Sequence, residues 1–458
     1  MSKKNKPRRT STTGRTILII LILSIIAACA FLGTMLFEPE KPRVTVTNKK
    51  NVMGVNSKID FKVQDDRSGL RTVKVDVEQN GKVSSLYQTS FPRSSKLLKC
   101  GPAKHQETIA LNPKKHNLVD GTANLIFTTT DYSWNGFFKG NKTTLTQEIT
   151  IDTDTPKISP RHKQRYIQPG GCGIVIYSLS EPATKHGILL HNNFFQGFPL
   201  EEQEDLYIAY FALDWDATNA GPAQIIAFDK AGNEGKLMFS MILKKTNQKF
   251  DRINVGDGFL QNKIPEFQQY YPEMHGSDME KYLFINNTVR TNNAQAIQTI
   301  CSTPHSKRLW EGRFLRMKGA SRAGFADRRT YYYQGKAIDK QTHLGMDIAS
   351  TAAAEVHAAN TGIVAFADYL GIYGNMVILD HGQGIFSLYS HMSRIDVSQG
   401  DMVEKNGLLG HTGATGMAGG DHLHFSMLAH GVFTSPLEWW DAAWIKVNIT
   451  DIITDAQL

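Results

Sequence analysis

The sequence is poor in cysteine and, outside one segment, in long apolar runs and in excess charge. Only 4 cysteines occur in 458 residues, widely spaced and without a CxxC pair, so a disulfide framework is excluded. Hydrophobic residues are 41% and charged residues 21%, which excludes a wholly disordered chain and a polytopic membrane protein. Most of the net charge of +8 lies within residues 1–15. The rest of the chain is near neutral, so we expect no nucleic-acid partner.

The one long apolar run, residues 16–37, directly follows that basic segment. At about 1.5 Å per residue it extends about 33 Å, enough to cross a bilayer. We predict a cytoplasmic tail at 1–15 and a transmembrane signal-anchor at 16–37. The chain would then be single-pass in an inner or plasma membrane, with its C-terminal body in the periplasm or extracytoplasmic space. A cleaved signal peptide and a lipoprotein modified at Cys29 are the alternatives, and both also export the body.

Alternating apolar residues predict mainly β-structure after the membrane segment. Val73, Val75 and Val77 illustrate the period of two, and turn signals separate such runs. A weak repeat of strand, aspartate, Gly/Asn turn and strand ends two segments, at Asp131 and at Asp229. It resembles the terminal hairpin of bacterial immunoglobulin-like domains. We therefore predict two immunoglobulin-like β-sandwich modules, at 38–152 and 153–248, that act as spacers.

Residues 249–324 have a different pattern and predict a partly helical connector. Helices are expected near 264–271, 278–285 and 294–297. The segment would serve either as a connector or as a flap over the domain that follows. A C-terminal tail is expected at 441–458.

Histidine is concentrated near the C-terminus, where 8 of the 15 lie between His343 and His430. In extended chain His343 and Asp347 share a face, and Gly345 between them leaves room for a third group. His422 and His424 also share a strand face, and His391 lies in a further strand flanked by aromatic residues. Two imidazoles and one carboxylate suit a catalytic zinc ion, whose bound water has a pKa near 7. Two further histidines could accept a proton and hydrogen-bond a developing oxyanion.

Four motifs follow one another within residues 325–440. They are Phe325-Ala-Asp-Arg-Arg329, the HxGxD of His343 to Asp347, YxH ending at His391, and the HxH of His422 and His424. With these motifs the segment resembles the lysostaphin-type zinc metallopeptidases that cut peptidoglycan cross-links. The resemblance implies a C-terminal antiparallel β metallopeptidase domain with a groove over a Zn²⁺ ion. It implies His343, Asp347 and His424 as ligands and His391 and His422 as catalytic residues.

The resemblance also implies weaker assignments around the groove. Tyr389 and Asn375 occupy motif positions that could line the substrate groove. We interpret His381 as structural and assign no function to His357, His411 and His430.

The expected function is a membrane-anchored zinc metalloendopeptidase that hydrolyses peptide cross-links of bacterial peptidoglycan. One alternative is a non-catalytic cell-wall regulator or scaffold, which would bind a partner hydrolase of the envelope through the β modules. Another is a zinc peptidase that acts on glycine-rich proteins. The sequence leaves open which peptidoglycan bond is cut.

Overall fold

The computed structural model describes residues 12–47, 50–94, 99–200 and 203–457, and confirms that the chain is mainly β. It divides into two compact units. The first comprises residues 1–155 with 230–233, and the second comprises residues 156–229 with 234–458. The predicted domain boundaries are finer than this division and remain predictions.

The first unit begins with an apolar helix where the sequence predicted one. The helix spans Thr12–Leu36, and its stretch Thr13–Thr34 has a mean hydropathy of 2.8 and exposed side chains. By length and composition it is able to cross a membrane.

The rest of the first unit is a pair of sheets packed face to face. One sheet has three strands and the other has five. Alternate residues of each strand point inward, so Phe61 of one sheet meets Phe127 of the other with ring centroids 5.5 Å apart. The sandwich prediction fits this arrangement, whereas an immunoglobulin-like topology stays a prediction. The strands are Arg43–Val46, Val52–Met53, Ser57–Gln64, Leu70–Gln79, Lys82–Ser90, Lys104–Leu111, Gly121–Asp131 and Lys142–Ile151, with short helices Lys114–His116 and Asn135–Phe138.

The second unit starts with a further β module built from two four-stranded sheets. Its apolar core is continuous with that of the C-terminal domain. Tyr210 lies 6.3 Å from Trp310, and Trp310 lies 5.6 Å from Trp439, between ring centroids. The module therefore packs as part of one larger body. Its strands are Ile158–Lys163, Tyr166–Ile167, Cys172–Leu179, Lys185–Leu190, Asn193–Gln196, Phe198–Leu200, Gln203–Ala212, Pro222–Phe228, Glu234–Ser240 and Ile242–Leu243.

The connector is more regular than the sequence predicted. Strand Phe250–Asn254 pairs parallel with Asp327–Tyr333, which ties the connector to the C-terminal domain. Helix Asp278–Phe284 begins at a capping box formed by Ser277 and Glu280. The other elements are helices Asp257–Tyr270 and Arg290–Ile300 and the π-helical turn Ile285–Val289. The first helix thus starts earlier, and the last is longer, than expected.

The C-terminal domain is built around a large antiparallel sheet. Strand Leu423–Ala429 lies between Met346–Ala349 and Ile385–Met392. Strands Ile385–Met392 and Leu423–Ala429 are buried along their whole length, because both faces of the sheet are covered. The strands are Ala320–Ala323, Asp327–Tyr333, Lys336–His343, Met346–Ala349, Glu355–His357, Gly362–Tyr369, Asn375–Asp380, Ile385–Met392, Arg394–Ile395, Met402–Val403, Leu408–His411, Leu423–Ala429 and Val432–Thr434, with the short helix Gly371–Tyr373.

The segment expected to be a C-terminal tail is helical and packed. Ile445 and Ile449 are buried, because apolar residues recur there at helical spacing. The elements are Pro436–Trp440, Ala442–Ile445, Lys446–Thr450 and Asp451–Gln457.

Candidate active site

His343 and Asp347 lie on consecutive strands rather than on one. The first strand ends at His343, the chain bends at Leu344 and Gly345, and the next strand is Met346–Ala349. The sequence correctly predicted extended chain and missed the break. A Cβ atom on Gly345 would lie 2.5 Å from Cε1 of His424. The room left by this glycine is therefore filled by the His424 ring.

His424 reaches the same point from the neighbouring strand. It is the direct cross-strand partner of Asp347 in the antiparallel pair. Directly opposed residues have Cβ atoms about 4.5–5.5 Å apart, so their side chains meet. His422, two residues earlier, forms an isolated bridge with Gly413 at the edge of this strand.

Three side-chain atoms converge at this point. Nε2 of His343 lies 2.9 Å from Oδ1 of Asp347 and 2.8 Å from Nδ1 of His424. The third distance, from Nδ1 of His424 to Oδ1 of Asp347, is 2.9 Å. All three residues are buried.

The outward-facing nitrogen of each imidazole has a partner that determines its tautomer. His343 donates from Nδ1 to the carbonyl of Gly324 at 2.8 Å. Ser426 donates from Oγ to the carbonyl of Leu344, so its Oγ accepts from Nε2 of His424 at 3.1 Å. Both inward-facing nitrogens therefore carry lone pairs.

Two imidazole lone pairs and a carboxylate oxygen thus face one another. Such atoms repel at these distances unless a cation lies between them. Two histidines and one carboxylate with an open position are a donor set of catalytic zinc sites. The residues present therefore fit a zinc ion.

Arg329 is a part of the site to which the sequence analysis assigned no role. Its Nη2 lies 3.2 Å from Oδ2 of Asp347, the oxygen that faces away from the histidines. The sequence contained a signal for this role, because Arg329 ends the motif Phe325-Ala-Asp-Arg-Arg329 that was quoted for the resemblance. Ser426 was also missed, although it lies two residues after His424 and so on the same strand face.

His391 and His422 lie beside this cluster. Their ring centroids are 4.9 Å apart, and the His391 ring is 5.8 Å from that of His424. His391 donates from Nδ1 to the carbonyl of Thr415 at 2.9 Å, and His422 donates from Nδ1 to that of Gly420 at 2.8 Å. The Nε2 atom of each ring lies on the side opposite its carbonyl partner. Nε2 of His422 lies 3.6 Å from Oδ1 of Asp347.

The cluster strongly perturbs the acidity of its members. Burial lowers the pKa of His391 well below its usual value, and positive charge on His422 or His424 lowers it further. Burial likewise lowers the pKa of His424 to about 4. Burial also lowers the pKa of His422, but the nearby negative charge of Asp347 outweighs burial and raises this pKa. For Asp347 burial raises the pKa, yet its close contacts with His343, His422 and His424 hold it well below its usual value.

The two residues expected to line the groove are engaged elsewhere. Tyr389 is 1% exposed, packs on Phe425, and its hydroxyl accepts from the backbone N–H of Ala359 at 2.7 Å. Its ring lies in the core, and a role for Tyr389 at the groove stays a prediction. Strand alternation would put Tyr389 on the same face as His391, but the φ of 63° at His391 breaks that alternation. Asn375 is half-buried and donates from Nδ2 to the carbonyl of Met392 at 3.0 Å.

The other histidines between residues 343 and 430 contact groups outside the cluster. His381 is fully buried and bonds to the Thr361 carbonyl and to Ser387, in keeping with a structural interpretation. His357 pairs with Glu355, His411 pairs with Asp396, and His430 stacks on Phe198.

The connector contacts the loop that carries Thr415. Lys263 donates from Nζ to the carbonyl of Ala414, and Glu266 accepts from the backbone N–H of Gly416 at 2.6 Å. Tyr270 stacks on Tyr369 with ring centroids 3.7 Å apart. The helix Asp257–Tyr270 therefore holds a loop whose carbonyl orients His391.

Comparison with known proteins agrees with the resemblance for this part of the chain. Residues 341–436 match the family model described as Peptidase family M23. DD-carboxypeptidase/endopeptidase Mpg from Neisseria meningitidis is 34% identical over 95 residues, 21% of this chain and 22% of that protein. Peptidoglycan DD-endopeptidase ShyC from Vibrio cholerae is 29% identical over 114 residues, 25% of this chain and 26% of that protein.

A solved structure assigned to peptidase M23, from Pseudomonas aeruginosa, is 20% identical with a TM-score of 0.39. The alignment covers 60% of this chain and 94% of that one. The chain spans about a quarter of the length of the curated relatives named above, with 22% and 26% of their sequences matched.

Proposed function

Since the chain carries a C-terminal M23 peptidase domain, we propose that it is a zinc-dependent endopeptidase that hydrolyses peptide cross-links of bacterial peptidoglycan. The observation that carries this proposal is the convergence of Nε2 of His343, Oδ1 of Asp347 and Nδ1 of His424 within 2.8 to 2.9 Å. These three residues would hold the zinc ion. The names of the two relatives, both of which include endopeptidase activity, support the reaction.

His391 and His422 would carry out proton transfer and oxyanion stabilisation beside the metal. When bound, zinc acts as a Lewis acid toward the scissile carbonyl and acidifies water. His391, held as the Nδ1–H tautomer by Thr415, presents a lone pair on Nε2 that can accept the proton of the attacking water. His422, in the imidazolium form that Asp347 favours, would donate from Nε2 to the oxyanion that develops at the carbonyl.

The N-terminal helix would anchor this enzyme to a membrane. Its apolar stretch Thr13–Thr34 is preceded by a basic segment in the sequence, and the basic end of such a helix stays in the cytoplasm. The chain that follows the helix would then lie in the periplasm or another extracytoplasmic space, where peptidoglycan is found.

The proposal is tested by digesting purified sacculi with the full chain in detergent and weighing the released muropeptides by mass spectrometry. We expect cross-linked dimers to decrease, and the product masses to name the bond that is cut. His343→Ala and a chelator should each abolish the decrease, since both remove the zinc site. His357→Ala, which changes a histidine outside the cluster, should leave it intact.

Cleavage that persists at full rate without metal would contradict the proposal. A folded, zinc-loaded chain that releases nothing would instead favour the regulator or scaffold alternative. A search for a co-purifying hydrolase would then be the next measurement.

A further inference from the structure

Two phenylalanine side chains project from a hairpin tip of the first unit, next to a half-buried tryptophan. The tip comprises Trp134, Phe137 and Phe138, at the short helix Asn135–Phe138. Phe137 is 94% exposed and Phe138 is 64% exposed, which is rare for phenylalanine. Trp134 packs edge-on against Phe138 with ring centroids 5.1 Å apart. We call these three residues the aromatic tip.

The aromatic tip is attached to the end of the apolar helix. The backbone N–H of Trp134 donates to the carbonyl of Leu36, the last helical residue, at 2.8 Å. This bond satisfies one of the carbonyls that every helix leaves unpaired at its C-terminus. Phe37, itself 54% exposed, meets the Trp134 ring edge-on at 6.0 Å. A continuous aromatic surface therefore begins where the helix ends.

The backbone of the tip is held in an unfavourable conformation. Phe137 has φ 56° and Phe138 has φ 67°, in the left-handed region that bulky residues avoid. Asn135 holds the tip to the chain that leaves the helix, by donating from Nδ2 to the carbonyl of Glu38 at 2.6 Å. The surrounding structure thus holds two exposed phenylalanines in a strained turn. Strain of this kind is typical of functional sites, so we expect the exposed rings to have a function.

Cationic groups lie next to the tip. Arg71 donates from Nη1 to the carbonyls of Phe138 and Lys139, at 3.2 and 3.4 Å. The side chain of Lys139 is exposed. Aromatic rings with adjacent basic groups match the boundary between lipid tails and phosphate headgroups.

We infer that the aromatic tip and Phe37 insert into the outer interfacial layer of the bilayer that the helix spans, so that the first unit is seated on the membrane surface. The inference rests on the proposed membrane anchoring. The tip is bonded to the last turn of the helix, so a spanning helix puts it at the height of the interface. Seating would restrain the first unit, which a flexible tether alone would leave free to rotate.

Tryptophan fluorescence provides a direct test, since Trp134 is the one tryptophan that lies in the first unit and the other 5 of the 6 lie at 215 and beyond. The full chain is reconstituted in phosphatidylcholine–phosphatidylglycerol vesicles with or without bromine on the acyl chain near the headgroup. The Trp134 signal is the difference between the unaltered chain and Trp134→Phe. Bromine should lower that signal roughly twofold, since the indole lies at headgroup level.

The double variant Phe137→Asn, Phe138→Asn should largely abolish the quenching. Asparagine tolerates the left-handed backbone, so the turn is retained while the aromatic surface is lost. The matched control Val83→Ser, Val119→Ser changes two exposed apolar residues of the same unit and should leave quenching unchanged. Circular dichroism of each variant checks that the fold is intact.

Flotation of the vesicles separates this inference from the anchoring on which it rests. If the unaltered chain does not float with vesicles, the anchoring proposal fails and the inference fails with it. If the chain floats but bromine leaves the Trp134 signal unchanged, the helix anchors and the inference is overturned. Quenching that survives the double asparagine variant would overturn the role of the two phenylalanines.

Discussion

The lone pairs at the centre of the candidate site are set by the groups that hydrogen-bond the opposite nitrogen of each imidazole ring. Gly324 determines the tautomer of His343 through its carbonyl, and Ser426 determines that of His424 through its hydroxyl. Partners of this kind fix the orientation of ligand rings in metal sites. Individual residues around the cluster should therefore separate metal binding from the chemical step.

The first residue-level prediction concerns Arg329. Replacing it with glutamine should lower zinc affinity about 10- to 100-fold, because Oδ2 of Asp347 loses its charged partner. Arg329→Lys should restore part of the affinity. Zinc affinity is measured by competition with a chromophoric chelator, which does not depend on peptidase activity.

Arg328→Gln is the matched control for this prediction. Arg328 lies next in sequence, and its guanidinium faces the ring of Trp215 at 5.9 Å. The zinc affinity of Arg328→Gln should equal that of the unaltered chain. Equal losses in both variants would mean that the strand Asp327–Tyr333, not the ion pair, holds the ligand.

The two further histidines should be separable from the ligands. His391→Ala and His422→Ala should each retain stoichiometric zinc and lose cleavage by about 100-fold or more, the range for general acid–base groups. His343→Ala should lose both zinc and cleavage. Metal content by atomic emission and sacculus digestion on the same samples distinguish the two classes. Loss of zinc in His391→Ala would assign that residue to the metal instead.

At the scale of single elements, the helix Asp257–Tyr270 links the connector to the site. Its buried face carries Leu260, Ile264 and Phe267. The half-buried side chains of Lys263 and Glu266 contact the loop 414–417. Most of the stability of such a helix comes from its buried face. The position of the loop, and with it the Thr415 carbonyl, thus depends on apolar packing one helical turn away.

Phe267→Ala should release this helix. Phe267 is fully buried, and truncating such a side chain typically costs about 3–5 kcal/mol of unfolding free energy. Denaturant unfolding measures the loss, and limited proteolysis should show new cleavage between residues 257 and 300. Phe250→Ala, at a residue 72% exposed at the start of the connector, should change neither. An unaltered unfolding free energy in Phe267→Ala would show that the helix is held by its polar contacts.

At the scale of the whole molecule, the second unit is joined internally by groups from distant segments. Glu438 accepts from the backbone N–H of Cys172 at 2.8 Å and from Nε2 of Gln168 at 3.0 Å. Burial raises the pKa of Glu438 to about 7, although these hydrogen bonds oppose the shift. The folded state therefore holds this proton more tightly than the unfolded state, where the pKa is near 4.5.

This difference predicts a pH-dependent stability. A raised carboxyl pKa stabilises the fold below pH 4.5, and that stabilisation is lost as pH rises through about 7. At about 1.4 kcal/mol per pKa unit, the loss is roughly 3 kcal/mol. Glu438→Gln stays uncharged, so its unfolding free energy relative to the unaltered chain should increase from about pH 4.5 to about pH 7 and then level off. Denaturant titrations at several pH values measure this difference.

Glu355→Gln, whose side chain is 64% exposed, is the control for the pH series. Its unfolding free energy should follow that of the unaltered chain at every pH. A constant offset between Glu438→Gln and the unaltered chain would mean that Glu438 keeps an ordinary pKa in the folded state.

Local patterns in the sequence were sufficient for some features of both the fold and the site. Strand alternation predicted the β-structure, and the apolar run predicted the helix near the N-terminus of the chain. Both signals arise from neighbouring residues. The chance of an unrelated chain combining HxGxD, YxH and HxH in this order is small, which is why the family was recognisable. Helix bounds in the connector were less accurate, since packing against the C-terminal domain extends those helices.

Several features depended on contacts that no local pattern records. The burial of Tyr389 depends on strand pairing and on the backbone bend at His391, and its role at the groove stays a prediction. Arg329 meets Asp347 only because two strands bring them together, and Ser426 acts through a bond to Leu344. The aromatic tip was present in the sequence as an ordinary turn. Its attachment to Leu36 exists only in the folded unit.

The sequence by itself determined which chemistry is available: the histidines and carboxylate of the cluster, the apolar helix and the β-rich body. These follow from residue identity and short-range periodicity, which act through neighbouring positions. Only the tertiary structure decided which atoms face one another, which tautomers they hold and which surfaces stay exposed. Those properties depend on strand register and packing between segments tens to hundreds of residues apart, and such contacts form only when the chain folds.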